Sequence, residues 1–255
     1  MLRSLKDLQG YDIHARDGDL GHADQFLFDD QRWTVRYLVV DTGGWLPGRL
    51  VLISPVAVER ADWEGHHINL SITKAQVEHS PGIDADQPVS RQFEADYYVY
   101  YGWPSYWAGG AAWGAYAAPG LLAATPPARQ PATEAEADQD HQERGDPHLR
   151  ASKEVIGYHI RATDDAIGHV EDFVVDDESW ELRYLVVDTS NWWFGKKVLV
   201  APPWVTQVSW DEREVLLDLS TEQIKNGPAW DPTAPINRQY EERLYDAYGR
   251  PAYWS

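Results

Sequence analysis

Two histidines occupy equivalent places in a recurring pattern, His22 in GHADQF and His169 in GHVEDF, each two residues before a carboxylate, Asp24 and Glu171. On a β-strand, residues i and i+2 share a face, so each imidazole would stand beside its carboxylate. Imidazole titrates near neutral pH, and such a pair suits proton uptake or weak metal binding. A metal centre normally needs three or four converging ligands. Two per site favour the plainer reading, a solvated polar face. His66 and His67 would point to opposite faces of a strand, and the matching positions later in the chain are Arg213 and Glu214, so this pair reads as surface.

A second group of residues surrounds two glycine-bearing loops, GGWLPGR and NWWFGKK. These lack the Gly-x-x-x-x-Gly-Lys-Ser/Thr spacing and following helix of a phosphate cradle. Tight turns explain them better. Trp45 with Arg49, and Trp192 and Trp193 with Lys196 and Lys197, could form an aromatic–cationic contact patch. Paired acids such as Asp29-Asp30 and Asp176-Asp177 fall at turns, where carboxylates satisfy backbone donors. No Ser/His/Asp order, nucleophile elbow or zincin motif appears, and cysteine is absent. The expectation is a protein without catalytic residues, metal or cofactor.

Composition limits the partners. The 255 residues carry a formal charge of −19. That balance disfavours phosphate backbones, which are bound by Lys and Arg, and anionic membrane faces. No apolar run reaches bilayer-spanning length, and the N-terminal residues lack a signal-peptide core. Cytoplasmic residence is expected, with a protein partner. Thirteen Trp and fourteen Tyr against five Phe suit half-buried and interfacial positions, since each of those rings carries one polar group.

The elements that would position these residues are mostly short strands. Tyr11 to Arg16 and Leu20 to Phe28 flank the turn Asp17-Gly18-Asp19, with Gly21 permitting a bend or a close approach. Asp29-Asp30-Gln31 turns into WTVRYLVVDT, whose Trp33, Val35, Tyr37 and Val39 lie on one face and Arg36, Leu38 and Val40 on the other. LVLIS runs into Pro55, and VAVERADW with HHINLSI forms a last hairpin. Thr73 is placed to cap one short helix. Ser90 caps a second, in which Phe93, Tyr97, Tyr100 and Tyr101 would form an aromatic face.

This unit is written twice. Leu2-Arg3 returns as Leu149-Arg150, RYLVVDT at 36–42 returns unchanged at 183–189, and Arg91-Gln92 returns as Arg238-Gln239. The same offset holds without a gap to Trp107 and Trp254, with about two in five paired positions identical. Residues 1–107 and 149–255 are thus two repeats, each a set of strands with an aromatic helical tail. Between them, 108–148 is rich in Ala, Gly and Pro, then acidic. It reads as a flexible linker whose aromatic start, Trp113 and Tyr116, docks locally. Five or six short strands in about seventy residues suggest a small antiparallel meander barrel, closure hiding its edges.

Three stretches in each copy resemble the PRC-barrel family: GHADQF and GHVEDF, the RYLVVDT strand, and the run ending in proline, GRLVLISP and GKKVLVAPP. The resemblance spans about residues 2–84 and 149–231. It implies a mainly β fold with short helices, namely two small barrels related by internal duplication and similar to the cytoplasmic barrel of photosynthetic reaction-centre H subunits. It implies no shared catalytic signature. The expected role is a non-catalytic adaptor or assembly module, with the barrels as an internal pseudo-dimer and further homo-oligomers open. The competing expectation is a small-ligand receptor or enzyme with a cleft between the barrels.

Overall fold

The structure, a computed structural model, describes residues 1–46, 49–84, 88–125, 148–189 and 196–254. Strands outweigh helices, as expected, and the chain divides into two compact units. One holds 7–151 with 178–181, and the other holds 1–6, 152–177 and 182–255. Each unit therefore contains the opening strand of the other repeat.

In the unit built on the first repeat, β2 (Asp12–Ala15), β3 (Gly18–Asp29), β4 (Thr34–Asp41) and β5 (Arg49–Ile53) follow one another antiparallel. β6 (Val58–Asp62) and β7 (His67–Leu70) form the late hairpin, and the two-residue β8 (Ile83–Asp84) joins β5. β7 then pairs in parallel with β2, Asp12 opposite His67. That pairing breaks the expected meander, giving the order β6-β7-β2-β3-β4-β5-β8. The far half of the long β3 takes a further partner, β9 (Leu149–Ala151), with Asp29 opposite Leu149.

The unit built on the second repeat follows the same plan. Its order is β13 (Lys197–Val200), β12 (Leu182–Asp188), β11 (Ala166–Asp176), β10 (His159–Arg161), β15 (Glu214–Leu217) and β14 (Val205–Ser209), with β10 and β15 parallel. β1 (Leu2–Ser4) pairs with β11, Leu2 opposite Asp176.

Among the described residues, neither sheet closes through backbone hydrogen bonds. Closure would need β5 to pair with β6, and β13 with β14. In both repeats a one-turn 3-10 helix stands there instead, Pro55–Ala57 and Pro202–Trp204. Proline supplies no N–H to continue a ladder, so in place of the expected closed barrel stands an open sheet, interrupted at that corner.

Every residue from Thr34 to Val40 is buried, so both faces of β4 are covered. Tyr37 and Arg36 point oppositely, and each meets part of the tail. Helix α3 (Arg91–Tyr101) begins at Ser90, whose hydroxyl accepts the Phe93 N–H, and ends at Gly102 with φ +70°. Its buried rings are Tyr97 and Tyr98, whereas Tyr100, expected on the apolar face, is exposed. Thr73 caps α2 (Lys74–His79) in a reciprocal box with Gln76. Its counterpart α6 (Thr221–Asn226) has the same box from Ser220 and Gln223. Asn237 caps the second tail helix, α7 (Arg238–Tyr248).

Residues 108–125, read as the start of a flexible linker, are ordered on the first unit. Bridges join Ala111 to Gly114 and Trp113 to Tyr116. A short helix over Pro119–Ala123 follows, and Trp113 and Leu122 are buried. Burial of these two apolar side chains offsets an ordering cost that average composition suggested could not be met. Among the described residues no helix is long and apolar enough to cross a membrane.

Candidate functional site

Each histidine-bearing strand carries a bulge. Between Ala23 and Gln25, and between Val170 and Asp172, the register slips by one residue. Asp24 and Glu171 are the extra residues of those bulges; like their histidines, they flank a buried residue, Ala23 or Val170, and the alternation breaks just after them. Each histidine faces an aspartate across the hairpin. His22 Nε2 lies 3.7 Å from Asp41 Oδ2, and His169 Nε2 lies 3.9 Å from Asp188 Oδ2. Glu171 takes Lys197 at 2.7 Å and Lys6 at 3.7 Å. His66 sits in a turn at φ +55° with its ring stacked on Tyr11, and only His67 lies on a strand. Among the described residues, no group of three His, Asp or Glu could hold a metal ion.

Only part of the loop patch falls within the described residues. The cation over the Trp45 ring is Lys74, 4.5 Å from its centroid. Arg49 opens β5, but its side chain and all of Trp192 and Trp193 lie outside the described residues. Lys196 turns to the end of α6, donating to the carbonyls of Lys225 (2.9 Å) and Gly227. An ammonium there complements the negative end of the helix, and partial burial lowers its pKa.

The arrangement with the most developed geometry is one the motif reading passed over. In the first repeat, Glu94 is wholly buried in α3. Its Oε1 accepts the Tyr37 hydroxyl (3.0 Å) and the Tyr106 hydroxyl (2.7 Å), while Oε2 accepts Arg91 (2.8 Å). Arg36, also wholly buried, donates to Asp29 (2.9 Å) and to the Ala112 carbonyl (2.6 Å). Its guanidinium lies between two rings, 3.9 Å from the centroid of Tyr106 and 4.9 Å from that of Trp113.

The second repeat builds the same figure from its own copies. Glu241 Oε1 accepts Tyr184 (2.7 Å) and Tyr253 (2.9 Å), and Oε2 faces Arg238 at 3.2 Å. Arg183 stacks 4.3 Å from the Tyr253 ring and reaches Asp176 at 3.5 Å. Arg238 lies 3.8 Å over Trp254. The sequence did hold a signal for this. Arg36, Tyr37, Arg91, Glu94, Tyr106 and Trp107 all recur unchanged, and a charged residue kept inside an apolar strand asks for a buried partner.

Electrostatics fixes what this network can do. Burial raises the Tyr37 and Tyr106 hydroxyls far above their ordinary range, and the Glu94 carboxylate adds to the rise. Tyr184 is raised likewise, and Tyr253 is pushed up to about 12, burial leading and Glu241 second. These hydroxyls stay protonated at neutral pH, so they serve as donors that orient rings. The carboxylates already neutralise the arginines beside them. What the face offers outward is stacked π surface and guanidinium N–H, a chemistry of recognition.

Comparison with known proteins agrees with the strand pattern. A family model described as the PRC-barrel domain matches residues 147–224. No curated protein matches the chain. That matched span begins at the strand β9 and runs through β15 into α6, the body of the second repeat. The second repeat is thus the part of the chain that matches a PRC-barrel domain.

Proposed function

We propose that this protein is a non-catalytic binding module with two PRC-barrel-type bodies, an internal pseudo-dimer that holds a protein partner during assembly of a larger complex. The observation that carries this reading is the contrast between the two copies of the arginine–aromatic face. In the first repeat Tyr106 is 1% exposed, while its counterpart Tyr253 is 39% exposed. The Arg36 side chain is 0% exposed and that of Arg183 19%. A face of Tyr, Trp and Arg left partly open has the composition of interaction hot spots. The role agrees with the assembly-supporting function that the family resemblance implies, and the acidic surface directs it toward proteins rather than nucleic acid.

The test is affinity capture with the full-length chain, wild type against Tyr253→Ala, each confirmed folded by circular dichroism. A protein recovered by the wild type and lost from the variant supports the module. Recovery indifferent to Tyr253, or a small molecule that raises Tm while no protein is recovered, overturns it.

A further inference from the structure

We propose that the outer side of helix α3, with Asp96, Val99, Tyr100 and Trp103, binds an arginine-bearing segment of a partner protein. The inference goes beyond the module reading above and does not rest on it, since all four residues belong to the unit built on the first repeat.

The duplication supplies an internal reference for this surface. On the packed side of the helix, Glu94 and Tyr98 recur as Glu241 and Tyr245. On the outer side the character changes: Asp96, Val99, Tyr100 and Trp103 are matched by Arg243, Asp246, Ala247 and Arg250. The second copy thus shows that this fold needs no apolar or aromatic group there. In the first copy Val99 is 76% exposed and Tyr100 40%. Tyr100 meets Tyr101 edge-on at 4.9 Å, and Tyr101 stacks on the half-buried Trp103 at 4.7 Å with 13° between the rings. Gly102 turns the chain so that the Trp103 N–H returns to the Tyr98 carbonyl at 2.9 Å. One aromatic surface therefore runs along the helix and past its end. A contiguous exposed patch of this kind, which the duplicate does without, marks a contact surface.

Charge selects the occupant. The last turn of α3 carries no basic residue, and the end of a helix is a negative pole. The second copy supplies its own guanidinium at that point, Arg250 just past α7, bonded to Asp218 at 2.9 Å. The first copy offers a ring there instead, with a carboxylate on the helix beside it. Asp96 is exposed, accepts the Gln92 side-chain amide at 2.9 Å, and is paired with no cation among the described residues. A planar guanidinium can stack on the rings while bonding that carboxylate, a combination the compact ammonium of lysine matches less well. An apolar helix laid on this face would strip water from Asp96 and give it no partner. A second copy of the chain fits poorly too. A two-fold contact would set Asp96 against Asp96 between two chains that each carry −19.

The probe is a dye-labelled synthetic peptide, GRGRGRG, titrated with the full chain and followed by fluorescence anisotropy. Saturable binding to the wild type is expected. Val99→Asp combined with Trp103→Arg copies the second repeat's surface at unchanged net charge and should weaken binding at least about tenfold. Tyr100→Ala, also neutral in charge and also the second repeat's residue, should weaken it severalfold. This single change at an exposed position keeps the test decisive should the double variant not fold, as judged by circular dichroism. The peptide GKGKGKG, of equal charge, should bind severalfold more weakly than its arginine counterpart. No saturation at millimolar peptide overturns the proposal. So does equal binding of the two peptides, or binding that Tyr100→Ala and the folded double variant leave unchanged, because either result is what general attraction to an acidic surface would give.

Discussion

The same substitution at the two equivalent arginines should have very different costs. Arg36→Met keeps the apolar stem but removes a fully buried guanidinium from Asp29, from the Ala112 carbonyl and from between two rings. Asp29 keeps the N–H groups of Gln31 and Arg32 on its other oxygen, yet its charge stays buried without a cation. Breaking a buried pair in this one-sided way costs about 3–5 kcal/mol. At Arg183 the ion pair to Asp176 is longer, at 3.5 Å, and both side chains are about one-fifth exposed. Such a pair contributes about 0–1 kcal/mol, and its contact with one ring adds about 0.5–1 kcal/mol. Arg183→Met should therefore cost about 0.5–2 kcal/mol. Because two units can unfold separately, a single melting midpoint would mix them. Amide exchange resolves them, read over Val35–Val40 for one variant and Leu182–Val187 for the other. Equal losses of protection, or a larger loss at Arg183, would refute the claim that closure of the first face is what makes its arginine costly.

Other changes test the surrounding structure. Burial raises the Asp172 carboxyl from 3.8 to about 6, against bonds from Ser4 and from the backbone of Lys6 and Phe173. The folded state then holds this proton more tightly, so its contribution is complete below pH 3.8 and lost as pH rises through about 6. Measured by exchange of the β1–β11 amides, the wild type should lose about 2–3 kcal/mol relative to Asp172→Asn between those limits. A Cβ at Gly21 or Gly168 would stand 1.9 Å from the carbonyl oxygen of Asp41 or Asp188. Either glycine changed to alanine should cost at least about 3 kcal/mol in chemical denaturation. Trp113→Ala should cost about 3–5 kcal/mol, with the exchange effect confined to the first unit.

Much of this architecture was legible locally. Ser90 and Thr73 act as the caps their side chains suggested. Gly21 marks a close approach of two backbones, one of its two anticipated uses. Offset matching found the duplication because it needs no structural assumption. What stayed hidden depended on distant residues. A three-residue strand such as Leu2–Ser4 carries no usable period, and nothing local says that it pairs with Val174–Asp176. Alternation is assumed until a bulge breaks it, and a bulge such as the one at Asp24 leaves no signature in GHADQF. Alternation set Arg36 on the face opposite Tyr37 without saying that this face is covered, and arginine is rarely interior. Two rings and an aspartate contributed from elsewhere in the chain reverse that preference.

The exchanged strands follow one rule in both units. Arg3 reaches Asp177 at 2.7 Å, and its copy Arg150 reaches Asp30 at 3.2 Å. The Asp177 N–H donates to the Met1 carbonyl at 2.9 Å, and the Asp30 N–H to the His148 carbonyl at 2.8 Å. These four residues, two arginines and two aspartates, recur at matched positions, so the register of exchange was copied together with the fold. A repeat that kept its opening strand away from the other would leave the far edge of β3 or β11 unpaired, an open row of donors and acceptors. Each repeat therefore completes its sheet with a strand from the other. In a single-repeat ancestor that strand would have to come from a second molecule, the isologous exchange expected of a two-fold dimer. Gene fusion makes such an exchange intramolecular and concentration-independent. It also frees the two copies to diverge, one closing its arginine–aromatic face with its own tryptophan and the other leaving that face accessible.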